Sequence, residues 1–142
     1  MQFIRDLYAA AAAQGRPVVS IEFFTPKTAE GEQAFYTKTL PALARLRPGY
    51  CSVTYGAGGS TREKTLDMVQ RIQSEYALPA MAHLTCVGST RAQIVALLEE
   101  ARARGIRNIL ALRGDPPAGS GAFAPVDGGF RFAHELVTLT RQ

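Results

Sequence analysis

The sequence has no long hydrophobic run. Its apolar stretches fall far short of the roughly 20 residues that a membrane-spanning helix needs, which excludes a transmembrane protein. Cysteine is scarce: Cys51 and Cys86 are the two, both in apolar, strand-like contexts. A single pair is no disulfide framework, and no His/Cys spacing suits a metal ion, so no metal is expected. This usage points to a reducing compartment and a cytoplasmic protein. Positive charge is present but not gathered. The 13 Arg and 3 Lys outnumber the acidic residues by four. Their densest group, Arg102, Arg104 and Arg107, falls at a helix end, where cations complement the helix dipole. No basic stripe marks a nucleic-acid interface. The first residues also lack a basic stretch followed by a long apolar region. Asp6 lies early and five alanines follow Tyr8, so an amphipathic helix is expected rather than a signal peptide.

Length sets another exclusion. The 142 residues suit one domain with a real core, but a complete eight-unit βα barrel takes roughly 250 residues. Hydrophobic residues at 46% and charged residues at 20% argue against disorder.

What is present alternates. Phe3, Ile4, Leu7, Tyr8 and Ala11 repeat at helical spacing up to Gly15. Strands are expected at 18–24, 50–55, 79–85 and 107–112, where β-branched, aromatic and apolar residues concentrate. Helices are expected at 29–46, bent at Pro41, then after a Ser60/Glu63 capping box, after a Thr90/Gln93 capping box, and at 129–139. A leading helix followed by four strand–helix units predicts an α/β fold with a parallel sheet. Polar residues near the strand ends, Glu22, Thr54, His83 and Arg113, are spaced by 32, 29 and 30. That is the period of (β/α)8 barrel units, and a flavodoxin-like open sheet also allows it.

Alternation along each strand separates two faces. Ser20, Glu22 and Phe24 oppose Val19, Ile21 and Phe23. Ser52 and Thr54 oppose Cys51, Val53 and Tyr55. Met81, His83 and Thr85 oppose Ala82 and Leu84. Ile109, Ala111 and Arg113 are read as the matching face of the fourth strand, leading to Asp115. Ligand sites of parallel α/β folds lie at the strand C-termini, so Glu22, Thr54, His83, Arg113 and Asp115 form a candidate site. Taken singly, Glu22 has a second reading as a buried partner of an arginine, and His83 one as a satisfied core histidine. The turn from Gly56 to Thr61 fails the dinucleotide fingerprint and has no Walker lysine. It either holds an anion on backbone amides or simply turns the chain. The long loop from Gly114 to Gly128 is of a kind that is usually functional. No activated serine or cysteine nucleophile is evident.

Four ordered motifs carry a resemblance. Ser20-Ile21-Glu22-Phe23-Phe24-Thr25-Pro26-Lys27-Thr28 resembles the opening strand of 5,10-methylenetetrahydrofolate reductases. Ser52-Val53-Thr54-Tyr55-Gly56-Ala57-Gly58-Gly59-Ser60, His83-Leu84-Thr85-Cys86 and Ala111-Leu112-Arg113-Gly114-Asp115-Pro116-Pro117 resemble the next three. Thr25 departs from the family's usual proline, and Phe132-Ala133 stands where the family often has Tyr-Ala, one hydroxyl contact fewer. The resemblance implies the first four units of a (β/α)8 TIM barrel over residues 1–142. It implies FAD at the strand C-termini, NAD(P)H as reductant, a folate substrate reduced to 5-methyltetrahydrofolate, and a homo-oligomeric intact enzyme. It gives Glu22 the role of general acid on the folate ring nitrogen, a task suited to a carboxyl group that a cavity keeps protonated. Thr54, His83, Arg113, Gly114, Asp115, Phe132 and Ala133 would line the flavin, and Asp115 would also meet the pterin. A half-barrel leaves two strand edges open. The sequence therefore leads to an expected fragment, inactive alone, or alternatively to a non-catalytic flavin-binding half-barrel that self-associates. A stand-alone flavodoxin-like protein is a third reading, disfavoured because no phosphate loop follows the first strand.

Overall fold

The computed structural model describes residues 2–56, 62–116 and 123–141. The chain runs α1 (Ile4–Ala12), β1 (Ser20–Phe23), α2 (Ala29–Ala34), a π-helical turn (Phe35–Thr39), α3 (Leu40–Ala44), β2 (Tyr50–Val53), α4 (Arg62–Tyr76), β3 (Ala80–Thr85), α5 (Arg91–Ala103), β4 (Asn108–Leu112) and α6 (Ala133–Thr140). The expected turn at 57–61, Ser60 as a helix cap, and Pro117 lie outside the described residues. The Thr90/Gln93 capping box is formed in full: Thr90 Oγ1 accepts from Gln93 N–H and Gln93 Oε1 from Thr90 N–H. Among the described residues no helix is long and apolar enough to cross a membrane.

The four strands form one parallel sheet in the order β1-β2-β3-β4. Each strand pairs with its sequence neighbour, the order of consecutive (β/α)8 units. A flavodoxin-like sheet reverses direction near its first strand, so that third reading is corrected.

The helix expected to bend at Pro41 instead changes pitch before it. The N–H of Leu40 reaches back to Phe35 O, a five-residue step. Proline offers no N–H and its ring crowds the carbonyl four residues earlier. A wider turn at 35–39 accommodates both constraints while the helical path continues through α3.

One side of the sheet is covered by helices. Phe23, Cys51, Val53, Ala80, Ala82 and Leu84 share a core with Leu40, Leu66, Val69, Ile72, Ile94, Leu97 and Leu136. Leu40, Ile72, Val69 and Leu136 are fully enclosed. Each such side chain contributes roughly 1.5–3 kcal/mol through burial.

The register corrects one expected face. His83 pairs with Leu110 and Thr85 with Leu112, so Asn108, Leu110 and Leu112 continue the face that carries Glu22 and His83. Ile109 and Ala111 pack instead against the helix-covered core. The run Asn-Ile-Leu-Ala-Leu has no polar alternation to fix its phase, so the sequence pattern could not choose between faces.

At the N-terminal ends of the strands, α1 is anchored at two points. Buried Asn108 accepts from Ile4 N–H at 3.0 Å and donates to Gln2 O at 3.3 Å. The Tyr8 and Tyr50 hydroxyls meet at 3.3 Å. Thus α1 reaches from the start of β4 to the start of β2.

Candidate active site

The parallel register sets Glu22 beside Ser52, and Ser52 beside Met81. His83 stands one pleat further along β3. Its Nε2 lies 3.4 Å from Glu22 Oε2. Ser52 Oγ donates to that same oxygen at 3.2 Å. Ser52 and His83 are buried, whereas the Glu22 side chain is 49% exposed. The carboxyl group is therefore not enclosed as expected. It stands at the edge of a buried polar pair and looks out from the uncovered side of the sheet.

His83 is close to Glu22 without an aligned hydrogen bond, and its Nε2 has no hydrogen-bond partner among the described residues. Burial holds the imidazole below the ordinary histidine range, and the neighbouring Glu22 carboxylate only partly offsets this. The Thr85 hydroxyl, two residues on, is likewise buried and unpartnered among the described residues.

Thr54 follows directly on β2. Its N–H donates to Phe23 O at 2.9 Å, and its carbonyl accepts from the buried Thr65 hydroxyl at 3.0 Å. These bonds tie the C-terminal end of β2 to β1 and α4.

The ends of β3 and β4 are locked similarly. Cys86 N–H donates to Leu112 O and Arg113 O, and Val87 N–H to Arg113 O. Gly114 then turns with φ +83°, and a Cβ there would fall 2.7 Å from Val87 Cγ1 and 2.9 Å from Thr85 Cβ. Only glycine meets both conditions. The turn leaves Arg113 and Asp115 exposed at the rim, with the Arg113 guanidinium 5.0 Å from the centre of the Phe123 ring.

At the start of α6, Glu135 Oε2 accepts from Phe132 N–H at 2.7 Å and Arg131 N–H at 2.8 Å. Those two donors hold the carboxyl group below the usual carboxylate range. The Phe132 carbonyl accepts from Cys86 Sγ at 3.7 Å, which seats this helix start beside the end of β3. The Phe132 ring is exposed and stacked on His134 with 5.5 Å between centroids.

The expected residues thus fall into three groups. Glu22 and His83 meet directly, with Thr54 following Ser52 on the intervening strand. Arg113, Gly114 and Asp115 form a rim against Thr85 and Val87. Phe132 and Ala133 stand at the helix start beyond Cys86. Ser52 went unselected in the sequence, although its place two residues before Thr54 was the available signal. Burial pushes the Cys51 thiol up to about 11 and raises that of Cys86, so neither is poised as a thiolate nucleophile. Among the described residues no group of three His, Cys, Asp or Glu side chains could hold a metal ion.

Comparison with known proteins completes the picture. Residues 7–142 match the family model of methylenetetrahydrofolate reductase. The chain is 40% identical over 136 residues to methylenetetrahydrofolate reductase (NADH) 1 of Arabidopsis thaliana, covering 96% of this chain and 23% of that protein. It is 38% identical over 132 residues to 5,10-methylenetetrahydrofolate reductase of Escherichia coli, covering 93% and 42%. It is 36% identical over 138 residues to methylenetetrahydrofolate reductase 2 of Saccharomyces cerevisiae, covering 96% and 23%. The chain spans less than half the length of each of these relatives.

Proposed function

Because this chain belongs to the methylenetetrahydrofolate reductase family, we propose that it serves in the FAD-dependent reduction of 5,10-methylenetetrahydrofolate to 5-methyltetrahydrofolate by NADH or NADPH, with Glu22 as the proton donor. The observation that carries this reading is the half-open Glu22 carboxyl group held on a buried Ser52–His83 pair.

The residues present fit a flavin. Exposed Arg113 offers cationic donors for a carbonyl edge or a phosphate, Asp115 offers an acceptor, and Phe132 an exposed aromatic face. Thr54, His83, Arg113, Gly114, Asp115, Phe132 and Ala133 would hold it. When bound, FAD supplies hydride transfer from the nicotinamide to the methylene carbon of the folate. Glu22 gives its proton to the folate ring nitrogen. The O–H bond breaks as the N–H bond forms, the carbon–nitrogen bond opens, and Glu22 is left as a carboxylate. Its exposure lets substrate reach it, and the covered side of the sheet keeps it fixed. Asp115 accepts from the pterin donor edge at the rim. The two free, buried thiols support a cytoplasmic setting.

The test uses the flavin-loaded protein. Anaerobic reduction by NADH or NADPH, followed by 5,10-methylenetetrahydrofolate, is read as loss and return of flavin absorbance. Substrate-dependent return is expected, and Glu22→Gln slows it about 100- to 10,000-fold while leaving reduction by the nicotinamide in place. Equal return in wild type and Glu22→Gln overturns the assignment of Glu22.

A further inference from the structure

Glu22 Oε2 and Oε1 stand in different surroundings. Oε2 accepts from the buried Ser52 hydroxyl at 3.2 Å and faces His83 Nε2 at 3.4 Å. Oε1 has no protein partner among the described residues. The register explains the asymmetry: Ser52 is the cross-strand neighbour of Glu22, and His83 reaches the same oxygen from the next strand. Among the described residues, His83 is the ionisable side chain within ion-pairing distance of Glu22.

We propose that Ser52 is a positioning residue for Glu22: it holds Oε2 against the sheet, so that Oε1 carries the proton and faces the substrate. The inference rests on the reading of Glu22 as the acid. Ser52 has one hydroxyl to give, and giving it to Oε2 orients the whole carboxyl group. Ser52 thereby aims the carboxyl group at the substrate.

The experiment compares Ser52→Ala, Ser52→Thr, Ser52→Cys and Glu22→Gln in the flavin-loaded protein. Reoxidation by 5,10-methylenetetrahydrofolate is followed alongside flavin reduction by the nicotinamide. Ser52→Ala is expected to slow reoxidation roughly 10-fold, within the range of misplaced catalytic groups. Nicotinamide reduction stays within twofold. Ser52→Thr, which keeps the hydroxyl, restores the rate. Ser52→Cys, close in volume and a weak donor, behaves like Ser52→Ala and covers the case in which the alanine variant fails to fold. If Glu22→Gln loses reoxidation but neither Ser52→Ala nor Ser52→Cys slows it relative to nicotinamide reduction, the positioning role is wrong and the acid stands. If Glu22→Gln reoxidises normally, the acid reading itself fails.

Discussion

On the helix-covered side of the sheet, Val53, Ala80 and Ala82 lie buried in one core with Leu66, Val69 and Ile72. On the other side, Glu22 is half exposed, and the buried Nε2 of His83 and hydroxyl of Thr85 have no hydrogen-bond partner among the described residues. The strands and their backbone ladders are shared, so the contrast lies entirely in the side chains. A buried polar atom without a partner costs roughly 1–3 kcal/mol. The covered face carries the stability that tolerates this cost, and the uncovered face retains groups able to meet a ligand. The two faces are therefore expected to respond differently to substitution.

The largest effect on stability belongs to the covered face. Ile72→Ala removes a fully buried side chain and is expected to lower unfolding free energy by about 2–5 kcal/mol in urea titrations. The proposed flavin and folate chemistry should persist in whatever fraction stays folded. Loss of activity without loss of stability would erase the division between the faces.

Next comes the rim. Gly114→Ala forces a side chain into a left-handed φ of +83° and into Val87 and Thr85. The backbone alone costs about 1–3 kcal/mol. Stability is expected to fall, and the proposed flavin affinity with it, since the turn packs against Val87 and Thr85. A neutral result in thermal melting would show that the turn relaxes freely.

His83 gives a smaller, pH-dependent effect. Burial lowers its folded pKa, so the folded state binds a proton less readily than the unfolded chain does. Its contribution is therefore complete above the ordinary histidine value of about 6.5 and is lost as pH falls through the depressed folded value. His83→Gln should flatten the melting temperature between pH 7 and 5 relative to wild type. An unchanged slope would place the acid sensitivity elsewhere.

The smallest effect lies on the helix surface. Arg71 and Glu75 form an i,i+4 pair at 2.7 Å, with both side chains 44% exposed. A double-mutant cycle is expected to give about 0.3–0.5 kcal/mol. The Arg71 guanidinium also lies 3.6 Å from the centre of the Tyr36 ring, so Arg71→Ala alone should cost more than the cycle term.

Much of this contrast can be read from residue order. Ser52-Val53-Thr54 and Met81-Ala82-His83-Leu84-Thr85 alternate polar with apolar, and period two assigns their faces directly. The helix from Thr90 was legible because its cap is local. Where the pattern was uniform it failed: Asn108 to Leu112 could be phased only by pairing with β3. Long-range partners were also invisible. Asn108 binds the start of α1, more than 100 residues away, and Ser52 finds Glu22 only once β1 and β2 are in register. The exposure of Glu22 depends on what covers the sheet, which no local pattern encodes.

The most direct test of the division between the faces is Glu22→Gln, read twice on one flavin-loaded preparation: by thermal melting and by reoxidation with 5,10-methylenetetrahydrofolate. The expected result is an unfolding free energy within about 0.5 kcal/mol of wild type, with reoxidation slowed about 100- to 10,000-fold. A variant that melts as early as a core substitution, or that reoxidises at the wild-type rate, would contradict it.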